Sequence, residues 1–198
     1  GCEPCGETHC GVCGWRHVEQ LTCGRCVGEA RESIAAIQTL TARALYDALA
    51  KGVQSTAAAI IGPAAAVDRW QRRHRLVINA AVAEEMAGVT DGPAHKAMVG
   101  WLEDCRDEQH PLWVLGTWDM LVSEHLDHER TLQVTIGRAA DYLTSNLTDL
   151  AQDKDFAFEE VHRELGECVT WLEEVIRDGE REHQGANCPT CKQARLIK

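Results

Sequence analysis

Two adjacent stretches decide the fold: TLQVTIGRAADYLTSNLTDLA, residues 131–151, and FAFEEVHRELGECVTWLEEVIRDG, residues 156–179. In the second, Phe158, Val161, Leu165, Cys168, Leu172 and Val175 recur at steps of three and four. In the first, Leu132, Ile136, Ala139, Leu143, Leu147 and Leu150 do the same. That spacing gathers the apolar residues into one stripe of an α-helix and leaves the acids and amides on the other side. The two stretches are therefore expected to form helices packed antiparallel on each other, running from about Thr131 to Ala151 and from near Phe156 to Gly179.

Moving toward the N-terminus, Pro111 marks a boundary, and Leu112, Leu115, Trp118, Leu121, Val122 and Leu126 follow it with helical spacing. Asp91-Gly92-Pro93 reads as a turn that opens another helix, with Ala94, Met98, Trp101, Leu102 and Cys105 on one face. Residues 68–89 read as a further helix. Residues 52–67 are small and apolar and are punctuated by Gly62-Pro63, so they read as a loop or short helical pieces. From about Gly28 to Lys51 the helical period returns through Ile34, Ile37, Leu40, Ala44, Leu45, Ala48 and Leu49. Period-two alternation is not sustained anywhere. The expected class is mainly α: a helical bundle of about four to six helices over residues 27–180, with a small N-terminal zinc finger in residues 1–26 and a zinc knuckle in residues 181–198.

The metal reading rests on the cysteines. Of ten in 198 residues, six fall in residues 2–26, and all six sit in C-x-x-C pairs: Cys2/Cys5, Cys10/Cys13 and Cys23/Cys26. A C-x-x-C turn aims two sulfurs at one tetrahedral ion. Such clustering suits thiolate ligands in a reducing compartment better than a disulfide scaffold, so the chain is read as intracellular. Six thiolates do not divide into fours. Either two pairs hold one zinc, as in Cys10/Cys13 with Cys23/Cys26 or Cys2/Cys5 with Cys23/Cys26, or His9 and His17 join the cysteines to close two sites. In an interleaved version of the latter, the outer pairs share one ion, and Cys10, Cys13 and His17 hold the other. An iron–sulfur cluster is the runner-up. Sites closed by four protein ligands are structural. Cys188-Pro-Thr-Cys191 supplies two more sulfurs, with His183 nearby. This pair is expected either to begin a zinc ribbon completed beyond Lys198 or to fold back onto an N-terminal pair.

Charge and motifs narrow the function classes. The chain carries a net −11, and residues 76–179 alone hold 22 acids against seven bases. Such a field repels phosphate backbones. Arg69-Trp70-Gln-Arg72-Arg73-His74-Arg75 is the one basic cluster in the body. Arg72, Arg73 and Arg75 are the candidates there for contact with duplex DNA. His125 and His128 match no metalloprotease spacing. Asp104, Asp107 and Glu108 read as the solvated face of a helix. Ser-His-Asp ordering, a phosphate loop and a dinucleotide fingerprint do not occur, so the chain is read as a non-enzyme. No apolar run approaches the roughly 18–20 residues that cross a bilayer.

Three segments carry a family resemblance. They are Cys5-Gly-Glu-Thr-His-Cys-Gly-Val-Cys-Gly-Trp-Arg-His-Val-Glu-Gln followed by Thr22-Cys-Gly-Arg-Cys26; Cys105-Arg-Asp-Glu-Gln-His-Pro-Leu-Trp-Val-Leu-Gly-Thr-Trp118; and Arg177-Asp-Gly-Glu-Arg181 followed by Cys188-Pro-Thr-Cys191. The chain resembles zinc-finger proteins encoded by actinobacterial phages over most of its length, least so over residues 52–90. The resemblance implies a C-terminal zinc ribbon and a helix-turn-helix DNA-binding segment after residue 191, so the DNA-reading segment is expected to lie beyond this chain. It further implies a DNA-binding protein in transcription control or packaging, with a protein-interaction or virion-associated adaptor as the alternative.

Overall fold

The structure is a computed structural model, and it describes residues 9–14, 21–89, 91–104, 109–128 and 135–185. Helices dominate: α1 (Gly24–Ala50), α2 (Gln54–Thr56), α3 (Gly62–Arg73), α4 (Arg75–Met86), α5 (Pro93–Asp104), α6 (Pro111–His125), α7 (Ile136–Leu150) and α8 (Phe158–Gly185). A π-helical turn, Ala57–Ile61, joins α2 to α3 without a break. That makes seven separate rods among the described residues, one more than the upper end of the expected four to six, and no sheet.

Of residues 52–67, expected as a loop or short helical pieces, those from Gln54 onward form short helical pieces that run into α3, for two reasons the local sequence conceals. Glu182, on α8, caps α2 by accepting the backbone N–H groups of Gln54 and Ser55 at 2.9 Å each. Those orphan donors of the first turn, and the positive end of the helix dipole, find a carboxylate far away in the chain. Pro63 then follows the π turn. A proline ring collides with the carbonyl four residues back in a regular α-helix, and the wider π turn makes room for it. Alanine-rich composition favours the helix on both sides.

Four helices build the core. α1 packs along α8 and on α7, while α6 packs on both α7 and α8. α7 and α8 thus face each other across the diagonal, with α1 and α6 between them, and the expected direct α7–α8 pairing is corrected. Periodicity identifies a buried face, not the neighbour that covers it. Direction follows from the cross-links. His162 meets Glu29 near one end and Glu180 meets Arg43 toward the other, so α1 and α8 run parallel. His110 at the start of α6 packs on Trp171 while Trp118 Nε1 donates to Glu164 Oε2 at 2.9 Å, and the end of α7 meets the start of α1 through Thr148 with Arg31 and Gln152 with Thr22, so α6 and α7 run the opposite way.

Ile34, Ile37, Leu115, Val122, Leu143, Leu147, Val161, Leu165, Cys168 and Leu172 lie at the centre, each at most 1 % exposed. Leu45 and Leu49, expected on the buried stripe of α1, are exposed instead, because that stripe continues through Ala44, Asp47 and Ala48. α4 and α5 pair with each other and reach the rest mainly through α3. Glu84 of α4 caps α5 as Glu182 caps α2, accepting from Ala94 and His95.

Gly179 does not end α8, which continues to Gly185. Its role is steric: a Cβ there would stand 2.3 Å from Thr56 Oγ1 and 3.0 Å from Val53 Cγ1. Gly179→Ala is therefore expected to destabilise the body by about 1–3 kcal/mol through overpacking. An unhindered mid-helix site would gain roughly 1 kcal/mol from the same change. Urea unfolding of the variant gives the sign directly.

Candidate metal centre

The N-terminal end of α1, the start of α8 and the end of α7 meet at one pole of the bundle, and the cysteines sit there. Cys10 and Cys13 flank a tight turn in which the Gly14 N–H donates to Cys10 O at 2.9 Å. Gly14 takes φ +70°, a left-handed conformation that favours glycine. Gly11 N–H donates to Leu21 O at 3.0 Å, which closes the loop between the two pairs. Cys23 is the N-cap of α1 and makes no side-chain capping bond. A serine or aspartate at that position would normally turn its oxygen onto the helix; here the sulfur is directed at Cys26, one turn along. The Cys23 backbone N–H donates to Cys10 Sγ at 3.4 Å.

The four sulfurs of Cys10, Cys13, Cys23 and Cys26 all lie within 4.8 Å of one another. Cys10–Cys26 and Cys13–Cys23 are 3.8 Å apart and Cys23–Cys26 3.5 Å. A disulfide needs about 2.05 Å, so these are separate thiols. With metal–sulfur bonds of about 2.3 Å, a tetrahedron has edges of about 3.8 Å. The cluster therefore has the size of a single four-thiolate ion site. A polynuclear cluster would hold its cysteine sulfurs further apart, because inorganic sulfide and several irons lie between them.

Three of the four sulfurs are buried and Cys13 is exposed. Burial pushes the Cys10 thiol up, but the backbone N–H groups of Cys13, Cys23 and Val12 outweigh it and bring the thiol down to about 6. Burial also pushes Cys26 up, and the neighbouring thiols of Cys23, Cys13 and Cys10 add to it. A dication reverses the cost on Cys26, since coordinated thiols are deprotonated. Binding must release protons, so affinity falls as the pH falls.

Gln152, just past α7, ties this loop to the bundle. Its Oε1 accepts the Leu21 N–H at 3.1 Å and its Nε2 donates to Thr22 O at 3.0 Å, immediately before Cys23. Nothing in the sequence flagged Gln152, because a glutamine at a helix end carries no motif. Gln152→Ala should cost about 1 kcal/mol of loop docking, the worth of exposed hydrogen bonds. Faster zinc transfer to a chelator, with unchanged unfolding of the body, is the expected readout.

Other sequence candidates fall differently. His9 is exposed and does not join the four-sulfur group. Of the divisions expected, the pairing of Cys10/Cys13 with Cys23/Cys26 is the one the cluster matches, and the interleaved one, with the outer pairs on one ion and Cys10, Cys13 and His17 on another, is corrected. Cys2, Cys5, His17, Cys188 and Cys191 lie outside the described residues, as do the side chains of Cys105, Asp107 and Glu108. His183 borders a small cleft with Asp47, Lys51 and Gly179 at the far end of α8. Arg72 and Arg75 are exposed beside the α3–α4 break at His74, and the side chain of Arg73 lies outside the described residues. His125 is bound to Asp153 at 2.8 Å, and His128 to the Tyr142 hydroxyl at 2.8 Å. Cys168 is a core residue.

No protein-family model, curated protein or solved structure matches this chain. Among the described residues, no helix is long and apolar enough to cross a membrane. A helical protein with a four-cysteine cluster suited to a metal ion is what the geometry establishes.

Proposed function

We propose that Cys10, Cys13, Cys23 and Cys26 hold one structural zinc ion that locks the N-terminal loop onto the pole of the bundle, and that the chain works by binding, not by catalysis. The sulfur cluster carries this reading: all four sulfurs lie within 4.8 Å of one another, three of the pairs at 3.5–3.8 Å match zinc–thiolate bonds, and four protein sulfurs leave no position for a reacting water. Zinc is preferred to iron because paired knuckles in a glycine-rich loop favour it. Persistent thiolates need a reducing compartment, which fits an intracellular protein. Elemental analysis of the purified chain tests the metal. Iron in place of zinc, or no metal, defeats the assignment.

The resemblance to actinobacterial phage zinc-finger proteins extends the proposal to a role in DNA transactions of a bacteriophage, in transcription control or packaging. Arg69, Arg72 and Arg75 are exposed around the α3–α4 break and supply the phosphate contacts. Against the acidic field of the body, this chain binds duplex DNA weakly and with steep salt dependence. The exposed acids of α8 favour a second reading, an adaptor that docks a basic protein partner: Glu159, Glu160, Glu167, Glu173 and Glu174 all face solvent. Gel shifts and pull-downs at physiological ionic strength separate the two, since screening there acts over ~8 Å. Loss of DNA binding on changing Arg72 and Arg75 to Ala supports the first reading. A protein complex that dissociates when the α8 acids are neutralised supports the second.

A further inference from the structure

A second group of ligand atoms lies beside the cluster. Cys26 Sγ, a Glu29 carboxylate oxygen and a His162 ring nitrogen are all within 4.8 Å of one another, on the first two turns of α1 and α8. His162 Nε2 is shielded from solvent and makes no hydrogen bond. It stands 3.4 Å from Glu29 Oε2. That is long for a charge-assisted hydrogen bond, which falls near 2.7–2.9 Å. It equals the edge of a tetrahedron built on metal–nitrogen and metal–oxygen bonds of about 2.0–2.2 Å, which is about 3.4 Å. The Arg25 Nε–H donates to the other carboxylate oxygen, Glu29 Oε1, at 2.8 Å. This hydrogen bond, with a smaller contribution from His162, holds Glu29 below the usual carboxylate range and leaves Oε2 turned toward the imidazole.

We propose that Cys26, Glu29 and His162 form a second metal site, which shares the Cys26 thiolate with the four-sulfur ion and keeps its fourth position open to water. The proposal rests on the four-thiolate reading. A thiolate sulfur has lone pairs enough to bridge two ions. Charge favours it: zinc leaves the four-thiolate site at −2, Glu29 adds another negative charge, and Glu159 lies 4.0 Å from where a Gly11 Cβ would stand. Arg25 offsets only one of these. The ligand set of one sulfur, one nitrogen and one oxygen suits zinc, cobalt(II) or cadmium. Sites with three protein ligands and one water are the open kind.

The test is an anaerobic cobalt(II) titration of the full chain carrying Cys2→Ser, Cys5→Ser, Cys105→Ser, Cys188→Ser and Cys191→Ser, so that only Cys10, Cys13, Cys23, Cys26 and the core residue Cys168 keep their thiols. Two equivalents are expected. The first should show the intense visible bands of a tetrahedral cobalt thiolate, and the second should bind more weakly. His162→Ala and, separately, Glu29→Gln should remove the second equivalent and leave the first unchanged. A single equivalent in the parent chain overturns this proposal and leaves the four-thiolate reading intact. So does a second equivalent that persists in both variants. No cobalt at all overturns both. His162 and Glu29 are half-exposed, so the variants should fold, and an unchanged first step reports that they have.

Discussion

Cys26→Ser should abolish tight zinc binding and release the N-terminal loop while leaving the bundle folded. Cys26 is 1 % exposed and touches two of its three partner sulfurs directly, at 3.5 and 3.8 Å. Structural zinc contributes roughly 10–16 kcal/mol in small zinc-dependent folds, so one ligand in four is worth about 3–4 kcal/mol. That corresponds to a loss of affinity of roughly a hundred- to a thousand-fold. The body should not follow, because its core, from Ile34 through Leu143 to Leu172, forms a hydrophobic cluster separate from the three buried sulfurs, with Val12 touching both. Chelation of the unaltered chain should act like the substitution: most of the far-ultraviolet helical signal stays. Loss of that signal together with the metal would show that the cluster is part of the folding core.

Leu165→Ala should have the largest effect on the body itself. Leu165 is fully buried on α8, which packs on both α1 and α6. Truncating a buried leucine in a packed core costs about 2–5 kcal/mol, part transfer and part cavity. Domains are stable by only about 5–15 kcal/mol, so the variant should be close to unfolding in mild denaturant. Its thermal midpoint should fall by roughly 5–15 °C for a chain of this size. Leu49→Ala is the matched control. Leu49 is 74 % exposed, so the same truncation should change stability by no more than about 0.5 kcal/mol. A small effect at Leu165 would contradict the arrangement of α1 and α6 around α8.

The helices that carry the core were legible wherever an apolar stripe was unbroken. Val161, Leu165, Cys168 and Leu172 are buried as their spacing requires, and so are Ala139, Leu143, Leu147 and Leu150. The diagonal placement of α7 and α8 was not legible, because a period names a face and not its partner. The continuity of the helix across residues 54–73 was hidden because Gly62-Pro63 resembles a stop and the cap of α2 comes from Glu182. The thiolates were legible as pairs, and the grouping of Cys10/Cys13 with Cys23/Cys26 was one of the divisions the sequence offered, but three pairs of identical spacing give no rule for choosing it. What groups them is tertiary: α1 begins at Gly24, which fixes Cys23 and Cys26 one turn apart, and Gln152 fixes the strand of chain before them. His162 and Glu29 meet only because α1 and α8 run parallel, a relation that no local pattern encodes.

X-ray absorption at the zinc edge tests the four-thiolate assignment most directly. The sample is the full chain with Cys2, Cys5, Cys188 and Cys191 changed to serine, loaded with one equivalent of zinc. A single shell of four sulfurs at about 2.3 Å is the expected result. A mixed shell of sulfur with nitrogen or oxygen, or failure to retain the ion, would contradict a site made of Cys10, Cys13, Cys23 and Cys26.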